Sequence, residues 1–386
     1  MTVVFTSNFF NHHQKPLSDA LYSLLGDSYH FIETEPISEE RLRMGWGGDT
    51  KSPYVKQSYT SEATFAECQR LIDNADVVVH GSAPYGLLKN RLKNNKITFK
   101  YSERVYKKGC PYYKLPRHFW INYHKYIKHK SIYILCASAF TSADYAKTFT
   151  FLNRAYKWGY FTELKKYDID ALIRGKQPAS LLWVARLIEW KHPEAVVEVA
   201  RRLKADGYRF ELNIIGNGEL EGKIRSLIEE QGLSDCVHML GAMKPEQVRA
   251  YMEKSEIFLF SSDRNEGWGA VLNESMNSGC AVVASHAIGS VPFLLDNGKN
   301  GYIYKNGDMD DMYQKVKSLM DNPGKRREIS KNAYTTIANE WNAENAASKL
   351  LVLAQALLNG EKKPFPHQDG ICSRAELLRD DWIKKG

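Results

Sequence analysis

Residues 257–285 read IFLFSSDRNEGWGAVLNESMNSGCAVVAS. EIFLFSS is a short apolar run, WGAVLNESMNSG has helical spacing after a glycine-flanked start, and CAVVAS is a second apolar run. Strands separated by helical stretches imply a parallel sheet with helices on both faces. Gly267 and Gly269 leave backbone N–H groups at the helix start open to an anion, and the positive helix end favours phosphate there. Glu266 stands just before the helix, placed to accept hydrogen bonds from sugar hydroxyls. Glu274, about two turns in, is placed to reach a ribose diol. The bland alternative is a capped helix with two solvated glutamates.

The same pattern extends upstream. SLLWVARL is strand-like, PEAVVEVARRLKADG is an amphipathic helix ending in glycine, and ELNIIGNG is a strand running into a tight turn. LEGKIRSLIEEQG is helical and CVHMLG is a strand. Arg186 offers a rigid fork and Lys191 a point charge on the loop after SLLWV, which suits a diphosphate; alone, such residues are more often solvated. Gly216-Asn-Gly218-Glu-Leu-Glu-Gly222 has the spacing GxGxxxG rather than the dinucleotide GxGxxG, so it is read as a turn near the diphosphate or base. Asp168-Ile-Asp170 and Asp308-Met-Asp310 look like metal-binding DxD pairs. The first falls in a polar stretch and the second can cap a helix, so no metal and no cofactor is expected.

In order and spacing, WVARLIEWK, IIGNGELEGKI, VHMLGAM, residues 257–285 and GSVPFLLDNGKNGYIY resemble the retaining glycosyltransferases of family 4, the "glycosyl transferases group 1". The resemblance covers about 180–305. It implies a GT-B fold, with two Rossmann-like α/β/α lobes facing a cleft. It also implies that Arg186 and Lys191 grip the donor diphosphate, that Glu266 sits by the donor sugar, that Glu274 holds the ribose, and that Met239–Met243 lie near the base. Trp268 belongs to the same donor-binding segment. Transfer with retention is implied by the resemblance alone.

The N-terminal half resembles the family less. TVVFT, ADVVVHG, KITFKY and SIYILCAS read as strands, and 26–60 as a long loop region. The family's glycine pair after the first strand is replaced by Ser7-Asn8-Phe-Phe-Asn-His12-His13-Gln14. Asn8, His12 and His13 are expected to contact acceptor or donor. The adjacent histidines are expected to point apart, which disfavours a metal. His80 ends a strand, where ligand sites gather, or it is a hydrogen-bonded core histidine. Glu103 is either beside the acceptor hydroxyl or paired with a neighbouring cation. Arg104 is placed on the acceptor side.

The net charge is +8, and the excess lies in this half. Residues 84–130 hold 13 basic side chains and one acid, Glu103. Within them, 116–130 (PRHFWINYHKYIKHK) recurs aromatic residues three or four apart on a helix. Such a face either packs into the core or lies on an anionic membrane. Nucleic acid is disfavoured because no nucleic-acid-binding motif is present. No apolar run approaches the roughly 20 residues of a membrane span. MTVVFTSNFFNHHQ has no basic stretch followed by an apolar one, so no leader is expected there. Six scattered cysteines without a CxxC pair fit a reducing compartment.

The expected organisation is a domain at 1–170 on the acceptor side, a nucleotide-sugar domain at 175–345 after a linker at 165–179, and a helical tail at 346–386 packing back on the first domain. Residues 326–358 are expected to be helical. The expected activity moves a sugar from a UDP- or GDP-sugar to a glycan or lipid-linked glycan in bacterial surface polysaccharide synthesis. The expected location is the cytoplasm, peripheral on the inner face of the plasma membrane. The alternatives are a sugar-nucleotide epimerase and a non-catalytic basic binding subunit.

Overall fold

The computed structural model describes residues 1–39, 52–361 and 364–383. The chain divides into two compact units, Met1–Glu163 with Trp341–Asp380 and Leu164–Glu340 with Asp381–Gly386.

In the first unit the strands are β1 (Val3–Ser7), β2 (Tyr29–Glu33), β3 (Val55–Gln57), β4 (Val77–His80), β5 (Thr98–Ser102), β6 (Ile132–Cys136) and β7 (Ala155–Lys157). They form a parallel sheet in the order 3-2-1-4-5-6-7. The run Val77–His80 is wholly buried, as expected for a strand covered on both faces. The order reverses between β1 and β4, where Thr6 lies opposite His80. Residues 26–60 are not one loop: β2 and β3 fall inside that span, because Tyr29, Phe31 and Ile32 supply a buried apolar strand. The remainder of that expectation, 40–51, lies outside the described residues.

The second unit has β8 (Ser180–Val184), β9 (Glu211–Ile215), β10 (Val237–Gly241), β11 (Ile257–Phe260), β12 (Ala281–Ser285) and β13 (Tyr302–Tyr304). Their order is 10-9-8-11-12-13 and every pair is parallel. The reversal falls between β8 and β11. Helix Pro193–Ala205 starts with proline at its first position and buries Val196, Val197, Val199, Ala200 and Leu203 against this sheet. Each such side chain contributes roughly 1.5–3 kcal/mol when fully buried.

Three expectations change. The stretch 165–179 is part of the second unit and not a free linker. Asp168 accepts from Ala171 N at 3.0 Å to start helix Ile169–Arg174, and Lys165 N donates to Asn277 Oδ1 at 2.9 Å. The single helix expected over 326–358 is two, Pro323–Asn339 and Ala343–Leu358. Asn342 stops continuation by adopting an extended backbone and capping Asn345 N at 2.9 Å. The chain passes back to the first unit at Trp341, before the expected 345.

Helix Ala343–Leu358 packs on helix Lys15–Leu25 through Ala346, Ala347, Leu350, Leu353 and Ala354, so the C-terminal segment completes the first unit. Beyond it, Cys372 N donates to Lys157 O at 2.9 Å and Ala375 N to Ala155 O at 3.0 Å, which covers the open edge of β7. Trp382 belongs to the second unit, where its Nε1 donates to His286 O at 3.1 Å. Among the described residues, no helix is long and apolar enough to cross a membrane.

Candidate active site

In the second unit the loops after β8 and β11 flank the point where strand order reverses, the usual place for a ligand in an open parallel sheet. Three bonds hold these loops together. Trp183 Nε1 donates to Ser261 Oγ at 2.8 Å, Ser261 Oγ donates to Lys191 O at 2.6 Å, and Asp263 N donates to Trp190 O at 3.0 Å. The result brings the Lys191 ammonium against the Glu266 carboxylate, both largely buried. Ser262 Oγ adds a second donor to Glu266 Oε2 at 3.0 Å, and the Trp190 ring lies 4.3 Å from Lys191 Nζ. Arg186, on the same loop as Lys191, is exposed and forms no ion pair among the described residues.

The glycines have separate duties. Gly269 has φ +83°, and a Cβ there would stand 2.4 Å from Phe260 Cζ, so the chain can turn into helix Val271–Asn277 only with glycine. Gly216 has φ +140°, and a Cβ would meet Ala185 O at 1.8 Å. That close approach lets the loop after β9 lie on the Arg186 loop, with Leu187 N donating to Asn217 O at 2.8 Å and Leu220 N to Leu187 O at 2.9 Å. Gly216 N in turn donates to Gly241 O at 2.9 Å, which brings the segment carrying Met243 alongside. Gly216 therefore buttresses the Arg186 loop through its backbone.

Gly267 is buried ahead of helix Val271–Asn277, and Glu274, seven residues on and within that helix, is half-buried. The Trp268 indole is buried and donates to Asn273 Oδ1 at 2.8 Å. Its side chain anchors the segment against the helix that follows. His192, next to Lys191, is a further element of this site. It sits in the left-handed region at φ 51°, with Nδ1 2.9 Å from Glu194 and Nε2 3.6 Å from Asp263. The hydrogen bond to Glu194 raises its pKa, against the effect of burial.

The first-unit candidates fall around the other strand reversal. His80 Nδ1 lies 2.8 Å from Thr6 Oγ1, and burial, then the neighbouring Lys100, lower its pKa to about 3. It is a neutral core histidine. Lys100 Nζ donates to Gly81 O at 2.8 Å, and burial lowers its pKa to about 8. Glu103 accepts from Lys107 Nζ at 2.8 Å and from Tyr160 OH at 2.7 Å, so the paired alternative describes it. Arg104 is not on an acceptor surface. Its side chain is buried over the Phe140 ring, with Nη1 2.9 Å from Asp380 and Nη2 3.5 Å from Asp144.

Asn8 is half-buried, and its carbonyl accepts from Thr34 N and Glu35 N, both at 2.8 Å. His12 and His13 do not point apart: their ring centroids are 3.9 Å apart, because Gln14 N turns back to Asn11 O at 2.9 Å and folds the pair into a turn. Burial and the adjacent His12 push His13 down to about 3. Glu33 is a further buried carboxylate here, accepting from Phe10 N, Gln57 Nε2 and Tyr59 OH at 2.9, 2.6 and 2.9 Å and so holding the His12–His13 loop. Among the described residues no three His, Cys, Asp or Glu side chains gather as metal ligands.

Residues 166–336 match the family model described as "Glycosyl transferases group 1". This part of the chain is similar to the glycosyl transferases of group 1. The amylovoran biosynthesis glycosyltransferase AmsK of Erwinia amylovora is 34% identical over 151 residues, covering 38% of this chain and 37% of the relative. The Campylobacter jejuni N-acetylgalactosamine-N,N'-diacetylbacillosaminyl-diphospho-undecaprenol 4-alpha-N-acetylgalactosaminyltransferase is 30% identical over 171 residues, covering 44% and 45%. The matches thus span less than half the length of these relatives. The Anabaena Alr3699/HepE structure in complex with UDP superposes with TM-score 0.65 at 13% identity, covering 93% of this chain and 99% of that one. The likeness extends over both units, and the fold is GT-B.

Proposed function

We propose that the chain transfers a glycosyl group from a nucleoside-diphosphate sugar to an acceptor hydroxyl, in the assembly of bacterial surface polysaccharide. The observation that carries this reading is the Lys191–Glu266 pair at the strand reversal of the second unit, with Arg186 exposed beside it. A carboxylate and two cations within one short loop pair match the two halves of the donor. Arg186 and Lys191 take the diphosphate, and Glu266 accepts hydrogen bonds from sugar hydroxyls. Glu274 takes the ribose diol.

In the reaction the bond between the anomeric carbon and the diphosphate oxygen breaks, and the acceptor oxygen bonds to that carbon. The acceptor proton passes to the leaving phosphate oxygen on the same face, giving retention. Pre-placed cations stabilise the charge that develops on the leaving group. They also supply the countercharge that a metal gives in other transferases, so the transfer proceeds without one. The AmsK relative supports a polysaccharide product, and the Campylobacter relative, whose name carries diphospho-undecaprenol, supports a lipid-linked acceptor.

The test is calorimetric binding and product analysis with a panel of UDP- and GDP-sugars, with and without EDTA, on wild type and Lys191→Ala. Binding of one nucleotide class that survives EDTA and weakens in the variant is expected, with release of nucleoside diphosphate. An epimerised nucleotide sugar without release, or no binding at all, would overturn the proposal.

A further inference from the structure

The segment Leu115–Asn122, with its continuation Tyr123–Ile127, presents Phe119, Trp120 and Tyr123 outward. The side that packs carries His118, whose Nδ1 lies 2.8 Å from Tyr106 OH, and Asn122, whose Nδ2 donates to Thr148 Oγ1 at 2.9 Å. Tyr126 completes it, buried between Tyr145 and Phe151. Phe119, Trp120 and Tyr123 face solvent, with Trp120 64% exposed. In an ordinary surface helix the apolar stripe faces the core.

Neighbouring segments extend the surface. Tyr112 and Tyr113, just before the helix, are exposed. Phe149 is 69% exposed, and its ring meets Phe119 edge-on at 6.5 Å. Its backbone is in the left-handed region at φ 55°, as are Phe151 and Asn153 at 55° and 56°. A bulky residue held in that region and pointing to water is the kind of strain that persists where a surface has a task.

The charge around these rings has one sign. Lys108, Lys114, Arg117 and Lys128 are exposed, and none forms an ion pair among the described residues. The acids nearby are engaged: Glu103 by Lys107, and Asp144 by Arg104 and Lys147. Rings with both apolar bodies and polar edges, set among free cations, fit the boundary between lipid headgroups and acyl chains.

We propose that this surface docks the first unit on an anionic bilayer, with Trp120 and Phe149 inserted at the headgroup boundary and Lys114 and Arg117 on lipid phosphates. The docking does not depend on the transfer reaction proposed above, and it adds to the cationic segment two features the sequence alone does not show: the outward face and the Phe149 loop.

Flotation of the full chain with vesicles tests it, using phosphatidylcholine alone and phosphatidylcholine with about one third phosphatidylglycerol. Association with the anionic vesicles only, weakened by salt, is expected. Trp120→Ser with Phe149→Ser, and separately Lys114→Glu with Arg117→Glu, should each lower it by about tenfold or more. Leu24→Ser, at an exposed apolar position elsewhere on the unit, should not. Circular dichroism and nucleotide binding by the second unit check that each variant is folded and keep this test separate from the donor reading. The proposal is overturned by absence of association with anionic vesicles, or by association that both double variants leave unchanged. Equal capture by dextran sulfate that ignores the ring substitutions would also overturn it, and would show a polyanion site instead.

Discussion

Lys191 and Glu266 are 75 residues apart in sequence and form a buried ion pair at the strand reversal of the second unit. Each comes from a loop that follows a different strand, β8 and β11; Ser261 fastens the two loops and Ser262 holds the Glu266 carboxylate within its own. A charge pair in that position serves both fold and ligand. It neutralises two groups that would otherwise be buried alone, and it places a cation and a hydrogen-bond acceptor side by side.

Lys191→Ala is expected to weaken nucleotide-sugar binding by about tenfold or more and to destabilise the second unit by about 1–3 kcal/mol, because Glu266 is left buried without its cation. Glu266→Gln keeps a hydrogen-bond acceptor for Ser262, so it should retain more affinity for the free nucleoside diphosphate while losing turnover. Calorimetry with nucleotide and thermal melts of both variants separate the two effects.

Gly269→Ala should cost about 1–3 kcal/mol, since both the positive φ and the contact with Phe260 oppose a side chain. It should also lower activity by shifting the backbone next to Glu266. Gly222→Ala is the counterpart. It lies in helix Glu221–Glu230 with nothing within 4 Å of its Cβ, and it should be neutral or stabilising by about 0.5–1 kcal/mol. Denaturant midpoints check both.

The histidines predict opposite pH effects. His192 has a raised pKa, so its contribution is fully present below the unfolded value of about 6.5 and is lost as pH rises through the folded value. His80 is lowered to about 3, so its contribution is present above the unfolded value of about 6.5 and is lost as pH falls toward the folded value. Melting temperatures of His192→Gln should therefore converge on wild type at about pH 8.5 and fall below it at about pH 5.5. His80→Asn should soften the acid limb instead.

Arg104→Met should destabilise the first unit by about 3 kcal/mol by stranding Asp144, which also accepts from Val105 N and Tyr106 N. Because the guanidinium is buried, the acceptor KM of the folded variant should stay near wild type. A raised KM with unchanged stability would restore Arg104 to the acceptor surface.

Much of the second unit is legible in the sequence because it is written locally. Apolar runs such as Ile257–Phe260 alternate with amphipathic helices, and Glu266, Arg186 and Lys191 sit at strand ends where chemistry gathers. Ser262 and His192 are not legible, because single Ser or His residues carry no pattern, even though Ser262 meets Glu266 four residues on and His192 meets Glu194 two residues on. The first unit is less legible for the same reason. Arg104 reads as a free cation until Asp380, 276 residues away, is brought against it. His12 and His13 read as diverging until the turn at Asn11 folds them together. Phe119 and Trp120 have core-like spacing; only the packing of His118, Asn122 and Tyr126 shows that they face outward.

The first unit is assembled from two distant stretches, while the second is almost continuous. During synthesis, the helix Lys15–Leu25 emerges before the second unit and waits for Ala343–Leu358, which emerges after it. Leu17 and Leu21 therefore stay without their native cover while the whole second unit has time to fold. The order of completion is the reverse of the order of translation. A product stopped before Trp341 would carry a finished second unit and an open, aggregation-prone first one.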